Sequence, residues 1–259
     1  MNRSFKYSSV ALQTLTRKEV ARFMRIWTQT LIPPVITTCL YFLIFGNLIG
    51  PRIGPMQGHS YIDFIVPGLV LMSVITGAYT NVASSFFSAK FQRYIEEIMV
   101  SPVPNYVILI GYLVGGMVRG ILVGMIVLAV SALFATVDIV SPVIAIVIFV
   151  LTALVFSLGG MINGMFARKF DDISIIPNFV LTPLIYLGGV FYSVQMLPEF
   201  WQIVSLANPI LYVINVARFA FLGSSDVGLL ASFSVIGTCI VTLFTLCMIL
   251  LRRGYGIRE

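Results

Sequence analysis

Charge is what this sequence has least of. Lysine, arginine, aspartate and glutamate together make up 10% of its 259 residues, whereas a soluble domain carries roughly 25%. A water-facing surface of ordinary size cannot be built from so few. Histidine is nearly absent, and His59 by itself supports no metal site. The 3 cysteines, Cys39, Cys239 and Cys247, lie in apolar runs without CxxC or Cys/His spacing and read as small buried hydrophobes, not as a disulfide or metal framework. Nowhere is a glycine followed by lysine, so the GxxxxGK loop that cradles nucleotide phosphates is missing and the chain cannot draw on ATP by that route. No nucleophile or metal cluster of a membrane enzyme stands out. Intramembrane carboxylates and histidines, the usual furniture of pumps and proton-coupled carriers, are equally scarce. Arg119 is the one clear mid-span charge, with Asp63 near an outer boundary. Paired broken helices of an inverted repeat are not visible either.

What is there is apolar. Hydrophobic residues make up 59% of the chain, the mean hydropathy is +1.01, and apolar runs matching the roughly 20 residues needed to cross a bilayer recur from end to end. The fold class expected is therefore an all-α polytopic membrane protein. Spans are expected at 26–46, 62–88, 106–134, 142–167, 175–193 and 229–251. Residues 1–25 have basic residues throughout, no apolar core and no small-residue cleavage pattern, which excludes a cleavable signal peptide. There Leu12, Leu15, Val20, Phe23 and Trp27 recur at helical spacing while Arg17, Lys18, Arg22 and Arg25 stay polar-side, the pattern of an amphipathic helix lying at the membrane interface.

Residues 197–222 are apolar enough to tempt a seventh span but contain Glu199, Asn208-Pro209, Asn215 and Arg218. Charge bias decides against it. With six spans and both termini cytoplasmic, all of the 16 lysines and arginines except Arg52, Arg119 and Arg218 fall on the cytoplasmic side, as the positive-inside rule requires. A seventh crossing would send Arg252, Arg253 and Arg258 outward. The segment 194–222 is accordingly expected as a broken, re-entrant or extracellular helical hairpin before the last span, and 26–259 as one transmembrane domain. The same distribution assigns the net charge of +6 to the bilayer and not to a nucleic acid.

One stretch interrupts the apolar chain with charge, FQRYIEEIMVSPVPN at 91–105. On a helix over 91–101, Phe91, Ile95 and Ile98 share one face and Arg93, Glu96 and Glu97 the other, with Ser101-Pro102 as the stop. Periodicity alone leaves two readings, a turn resting on lipid or a surface presented to a partner.

The run EEIMVSPVPNYVILIGY resembles the E-x-L-L-x-x-P element of the ABC-2 type export permeases. KEVARFMRIWTQTLIPPVI, IVPGLVLMSV, SSFFSAKFQRYIEE, ARKFDDIS, LTPLIYLGGVFYS and LANPILYVINVARFAFLG continue the resemblance over nearly the whole chain. Ile98-Met99 stands where a pair of leucines is common. The resemblance implies the ABC-2 exporter fold and a bacterial inner-membrane location. It also implies a homodimer and two copies of a separate ATPase subunit that carries ATP and Mg, this chain itself having no cofactor and no enzymatic activity. It makes 91–101 the coupling helix, with Arg93, Tyr94, Ile95, Glu96, Glu97, Ile98 and Met99, beside Arg17, Lys18 and Arg22, as the ATPase interface. Asp171-Asp172 beside Arg168-Lys169 reads as a solvated charged turn or a second ATPase contact. Spans 1 and 5 become the dimer contact and the substrate path, to which Tyr41, Thr76, Thr80, Asn178, Thr182 and Tyr186 are the candidate contributors. The cargo implied is amphiphilic or hydrophobic, a lipid, glycolipid or drug, or else a polysaccharide. An ATP-independent carrier or channel is the alternative. Small residues at Gly116, Gly120 and Gly124 and at Gly160 and Gly164 would let helices approach closely, within the chain or across a dimer seam.

The charge bias makes a topological prediction. A cysteine replacing Ser225 should react with a membrane-impermeant maleimide added from outside, and one replacing Gly254 should not. Outside labelling at Gly254 would overturn the six-span topology.

Overall fold

A computed structural model of the chain describes residues 2–101 and 103–255. Pro102 and Arg258, which figure in the readings above, lie outside the described residues, as do the side chains of Arg3 and Lys6. Among the described residues there is no strand, only an isolated bridge between Met56 and His59 in an outer turn.

Among the described residues ten helices, besides a short 3-10 turn at Val194–Met196, follow in order. Helix α1 is Asn2–Arg25. Six helices are long and apolar enough to cross a membrane: α2 (Trp27–Ile53), α3 (Tyr61–Phe91), α5 (Asn105–Ser131), α6 (Pro142–Phe166), α7 (Phe170–Leu187) and α10 (Leu229–Arg253). The short helix α4 is Tyr94–Val100, and α8 (Glu199–Leu206) and α9 (Pro209–Leu222) precede the last span. The first span runs to Ile53, beyond the expected 46, and the fifth occupies Phe170–Leu187 instead of 175–193. Its early start takes Asp171 and Asp172 into the first helical turn, where the exposed Asp172 carboxylate accepts the backbone N–H groups of Arg168 and Lys169. What read as a charged turn is a helix N-terminus capped by its own acid.

Helix α3 is the centre of the bundle. Ser60 caps its start by accepting the Asp63 N–H, Pro67 falls nearly two turns in, and 78% of its most apolar window is buried by neighbouring helices. Glycines make that possible. A methyl at Gly120 would lie 2.8 Å from Ala78 Cβ and 2.9 Å from the Val74 carbonyl, and one at Gly160 only 2.3 Å from the Tyr79 carbonyl. The small-residue rows on α5 and α6 thus face α3 of the same chain, which resolves the choice between intrachain packing and a dimer seam in favour of the former. Lys90 fastens the end of the bundle expected on the cytoplasmic side by donating to the carbonyls of Met165 (2.9 Å) and Ala167 (2.8 Å) at the end of α6.

The segment 194–222 is broken at an elbow where α8 and α9 meet at 89°, the bend of a re-entrant pair or of a broken span. The sequence reason lies at the corner. Asn208 accepts the Ile210 N–H and donates to the Leu184 carbonyl at 2.6 Å, while Pro209 opens α9 where its missing N–H costs nothing. Helix α9 is largely buried, whereas α8 exposes Phe200, Trp201 and Ile203.

Gly160→Ala should lower the stability of the detergent-purified chain by about 1–3 kcal/mol, because overpacking here meets backbone and not a yielding side chain. Gly237→Ala, with nothing within 4 Å of the added methyl, should leave the melting temperature unchanged.

Candidate functional site

At the expected cytoplasmic end, α3 stops at Phe91 because Arg93 takes a left-handed conformation, φ 63°. The chain then turns and restarts as α4. This corrects the expected continuous helix over 91–101: Phe91 belongs to α3 and shares no face with Ile95 and Ile98. It also changes which side chains are available. Ile95 is 1% exposed, packed with Ile108, Leu109 and Tyr112 in the chain's own core, while Ile98 and Met99 lean against the same cluster. Ile95 therefore cannot fill a partner's groove; it keys α4 to the bundle. The free surface is Arg93, Glu96, Glu97 and Val100, the last 87% exposed.

Helix α1 lies alongside. The Lys18 ammonium sits 3.9 Å from the Tyr94 ring centroid, a cation–π contact joining α1 to α4. Arg17 is exposed. Arg22, expected beside it, points inward and donates to the Asn81 carbonyl (2.9 Å) and Asn81 Oδ1 (2.8 Å) on α3. A groove of about 340 Å³ separates α1 from α4, with Thr14 and Leu15 on one wall and Glu97, Ile98 and Ser101 on the other. The apolar face of α1 also differs from expectation. Leu15 and Phe23 are buried against the bundle and Trp27 is exposed, since Gly111 and Gly115 on α5 leave room for Leu15 and Glu19.

The path candidates divide. The Thr76 and Thr80 hydroxyls bond carbonyls one turn back in α3, at 2.9 and 2.7 Å, as threonines in apolar helices commonly do. Thr182 satisfies the Pro177 carbonyl, and Asn178 is exposed on α7. Tyr41 and Tyr186, 145 positions apart, come together with their hydroxyls at 3.0 Å. Around them Phe45 and Phe191 stack at 4.6 Å, and Phe191 meets both tyrosine rings. The cluster sits where α2 approaches α7. Both helices are π-wound nearby, over Phe42–Ile49 and Pro177–Leu181, a local unwinding frequent at functional positions.

The family model described as ABC-2 type transporter matches residues 10–222. The chain belongs to the ABC-2 type transporter family. It is 58% identical over 250 residues to the inner membrane transport permease YadH of Escherichia coli K12, covering 96% of this chain and 98% of that protein. It is 27% identical over 215 residues to nodulation protein J of Rhizobium meliloti, covering 83% and 82% respectively. This ABC-2 member is a multi-pass inner-membrane permease with six apolar spans.

A second polar assembly holds the opposite end of this ABC-2 chain, the end expected outside, and periodicity gave no signal for it. Arg218, outside the six spans and 1% exposed, pairs with Asp226 at 3.0 Å, lies 4.0 Å from the Phe64 ring centroid and donates to the Gly189 carbonyl. Asp226 also accepts from Gln57 (2.6 Å) and Ser193 (2.8 Å), and Asn215 accepts the backbone N–H groups of Asp226 and Val227. Three outer segments and α9 are thereby tied into one cap.

Asp226→Asn strands the Arg218 charge in a buried setting and should cost about 3–5 kcal/mol, read as a loss of melting temperature in detergent. Ser225→Asn, next to it but exposed, should stay within about 0.5 kcal/mol of the wild type.

Proposed function

We propose that this chain is the membrane-spanning subunit of an ATP-driven exporter. Two copies pair with two copies of a separate ATPase subunit, which holds the ATP and Mg, and both termini face the cytoplasm. The observation that carries the reading is the keyed α4. A seven-residue helix with Ile95 locked in the core, Lys18 over Tyr94 and a left-handed joint at Arg93 is a rigid lever with a charged outer edge. Glu96, Glu97 and Arg93 select the partner by charge, Val100 supplies apolar contact, and closure of the two ATPase subunits moves α4 as a unit with the span that precedes it.

The route for cargo is the surface between α2 and α7. These are the two spans least covered by the rest of the chain, with 17% and 11% of their apolar windows buried. The remainder faces lipid or a second copy. An apolar wall studded with Tyr41, Tyr186 and the exposed Asn178 suits an amphiphile, whose apolar part stays in contact with the spans while its polar part meets hydroxyl and amide groups. Tyr41, Tyr186 and Asn178 are the contacts proposed; Thr76 and Thr80 are helix-satisfied and contribute shape.

Val100→Glu removes about 1.5 kcal/mol or more of apolar burial from the docked state and adds the desolvation of a carboxylate, while leaving the free chain's packing untouched. Pull-down of the co-expressed ATPase subunit should fall about tenfold or more, with normal abundance of the chain in the membrane. Retained ATPase on the Val100→Glu variant would reject α4 as the docking surface, and export that persists without any ATPase subunit would establish an ATP-independent carrier instead.

A further inference from the structure

The exporter reading leaves the chain's most deeply buried carboxylate without a role. Glu19 is 0% exposed, although it belongs to the amino-terminal helix α1. One oxygen accepts from Ser85 on α3 and from Arg22 Nε at 3.4 Å. Arg22 in turn holds Asn81 of α3 through both a carbonyl and a side-chain oxygen. Arg119 of α5, the one charge in the middle of a span, reaches the same Asn81 Oδ1 at 3.5 Å, a marginal bond. The assembly spans three helices and holds two guanidinium groups to one carboxylate.

Its hydrogen bonding is incomplete in a particular way. Among the described residues the other Glu19 oxygen, Oε1, has no partner, nor do Asn81 Nδ2, Arg119 Nε and Ser157 Oγ. Glu19 and Asn81 meet at Gly115, where a methyl would lie 2.5 Å from Glu19 Cβ and 3.7 Å from Asn81 Nδ2, and Arg119 follows one turn further along α5. Buried polar atoms are almost always paired. Here an acceptor, Glu19 Oε1, and a donor, Asn81 Nδ2, are left over at a seam where glycine removes the side chains that would stop α1 from shifting along α5. Small movements at such a seam exchange one set of partners for another, which is how packed interfaces become two-state elements.

We propose that Glu19, Asn81 and Arg119 form a buried polar joint that positions α1 against α3 and α5 and passes the movement of the cytoplasmic helices into the spans. Glu19 exchanges partners between Ser85 with Arg22 in one state and Arg119 in the other. The proposal rests on the exporter reading for the source of movement, and on the geometry alone for the joint. Glu19 and Arg119 are positioning residues; neither touches cargo.

Two measurements test it separately. In the first, the chain without any partner is melted in detergent as wild type, Glu19→Gln, Arg119→Gln and the double variant. If the two share a joint, the double variant loses no more melting temperature than the worse single one; additive losses overturn the joint. In the second, cysteines replacing the exposed Gln13 on α1 and Val118 on α5, in a background with Cys39, Cys239 and Cys247 replaced by alanine, carry spin labels in the nanodisc-reconstituted complex with its ATPase. Trapping the complex with vanadate and ATP should shift the label–label distance, and Glu19→Gln should at least halve that shift while the ATPase stays bound. A full shift in Glu19→Gln, or no shift in the otherwise wild-type protein, overturns partner exchange. Failure of the ATPase to bind the wild-type chain rejects the exporter reading instead, and leaves the melting result to decide the joint.

Discussion

Helix α3 can be the axis of this molecule only because other backbones come close to it. Inside a bilayer there is no hydrophobic drive to press helix on helix, since lipid tails are as apolar as leucine, so association depends on contact area and on polar groups finding partners. The glycines of α5 and α6 supply the first by letting the Val74, Ala78 and Tyr79 region of α3 lie almost backbone to backbone against them. Everything else hangs from that three-helix core. Helix α1 packs on α5, α9 packs on α3 and α6, and the outer cap closes over the Phe64 end through Arg218. Spans far from the core are covered least.

Polar side chains divide between the two ends of this core. At the Phe64 end Arg218 and Asp226 form a buried pair that also bonds Gly189, Gln57 and Ser193 and leaves Arg218 Nε as its one unpartnered atom among the described residues. At the other, the group around Asn81 carries a surplus guanidinium and several unpaired atoms. A nearly satisfied network holds one arrangement, and an unsatisfied one sets little energy between alternatives. The stiff end and the yielding end of the same bundle can thus be told apart by hydrogen-bond accounting.

How much of this was legible in the residues depends on whether the signal was local. The six spans were legible because about 20 apolar residues in a row are their own evidence, and the bend before the last span was written in Asn208-Pro209. The bounds of α7 were missed because Asp171 and Asp172 resemble a loop until their capping of Arg168 and Lys169 is seen. The break at Arg93 was illegible, since arginine is not a residue that ordinarily takes a left-handed φ, and with it went the faces assigned to Phe91 and Ile95. Glu19 did leave a trace: it falls at i+4 from Leu15 and i−4 from Phe23, an acid in the middle of an apolar stripe, and such a residue should have prompted a search for a buried partner. Asp226 left none, because its pairing with Arg218 is made by a loop closing on a helix. Tyr41 and Tyr186 were each legible as polar positions on a span; that they touch is a fact of tertiary structure alone.

The scant covering of α7 has a consequence for how the protein is made. It is the least apolar of the six spans and is among those least covered by the rest of its chain, so as it leaves the ribosome neither its own hydropathy nor its neighbours hold it firmly in lipid. Its residence in the membrane is therefore tied to what arrives afterwards, the elbow whose Asn208 bonds the Leu184 carbonyl. A nascent chain halted before residue 208 would lack the side-chain bond that ties the end of its fifth span to the elbow.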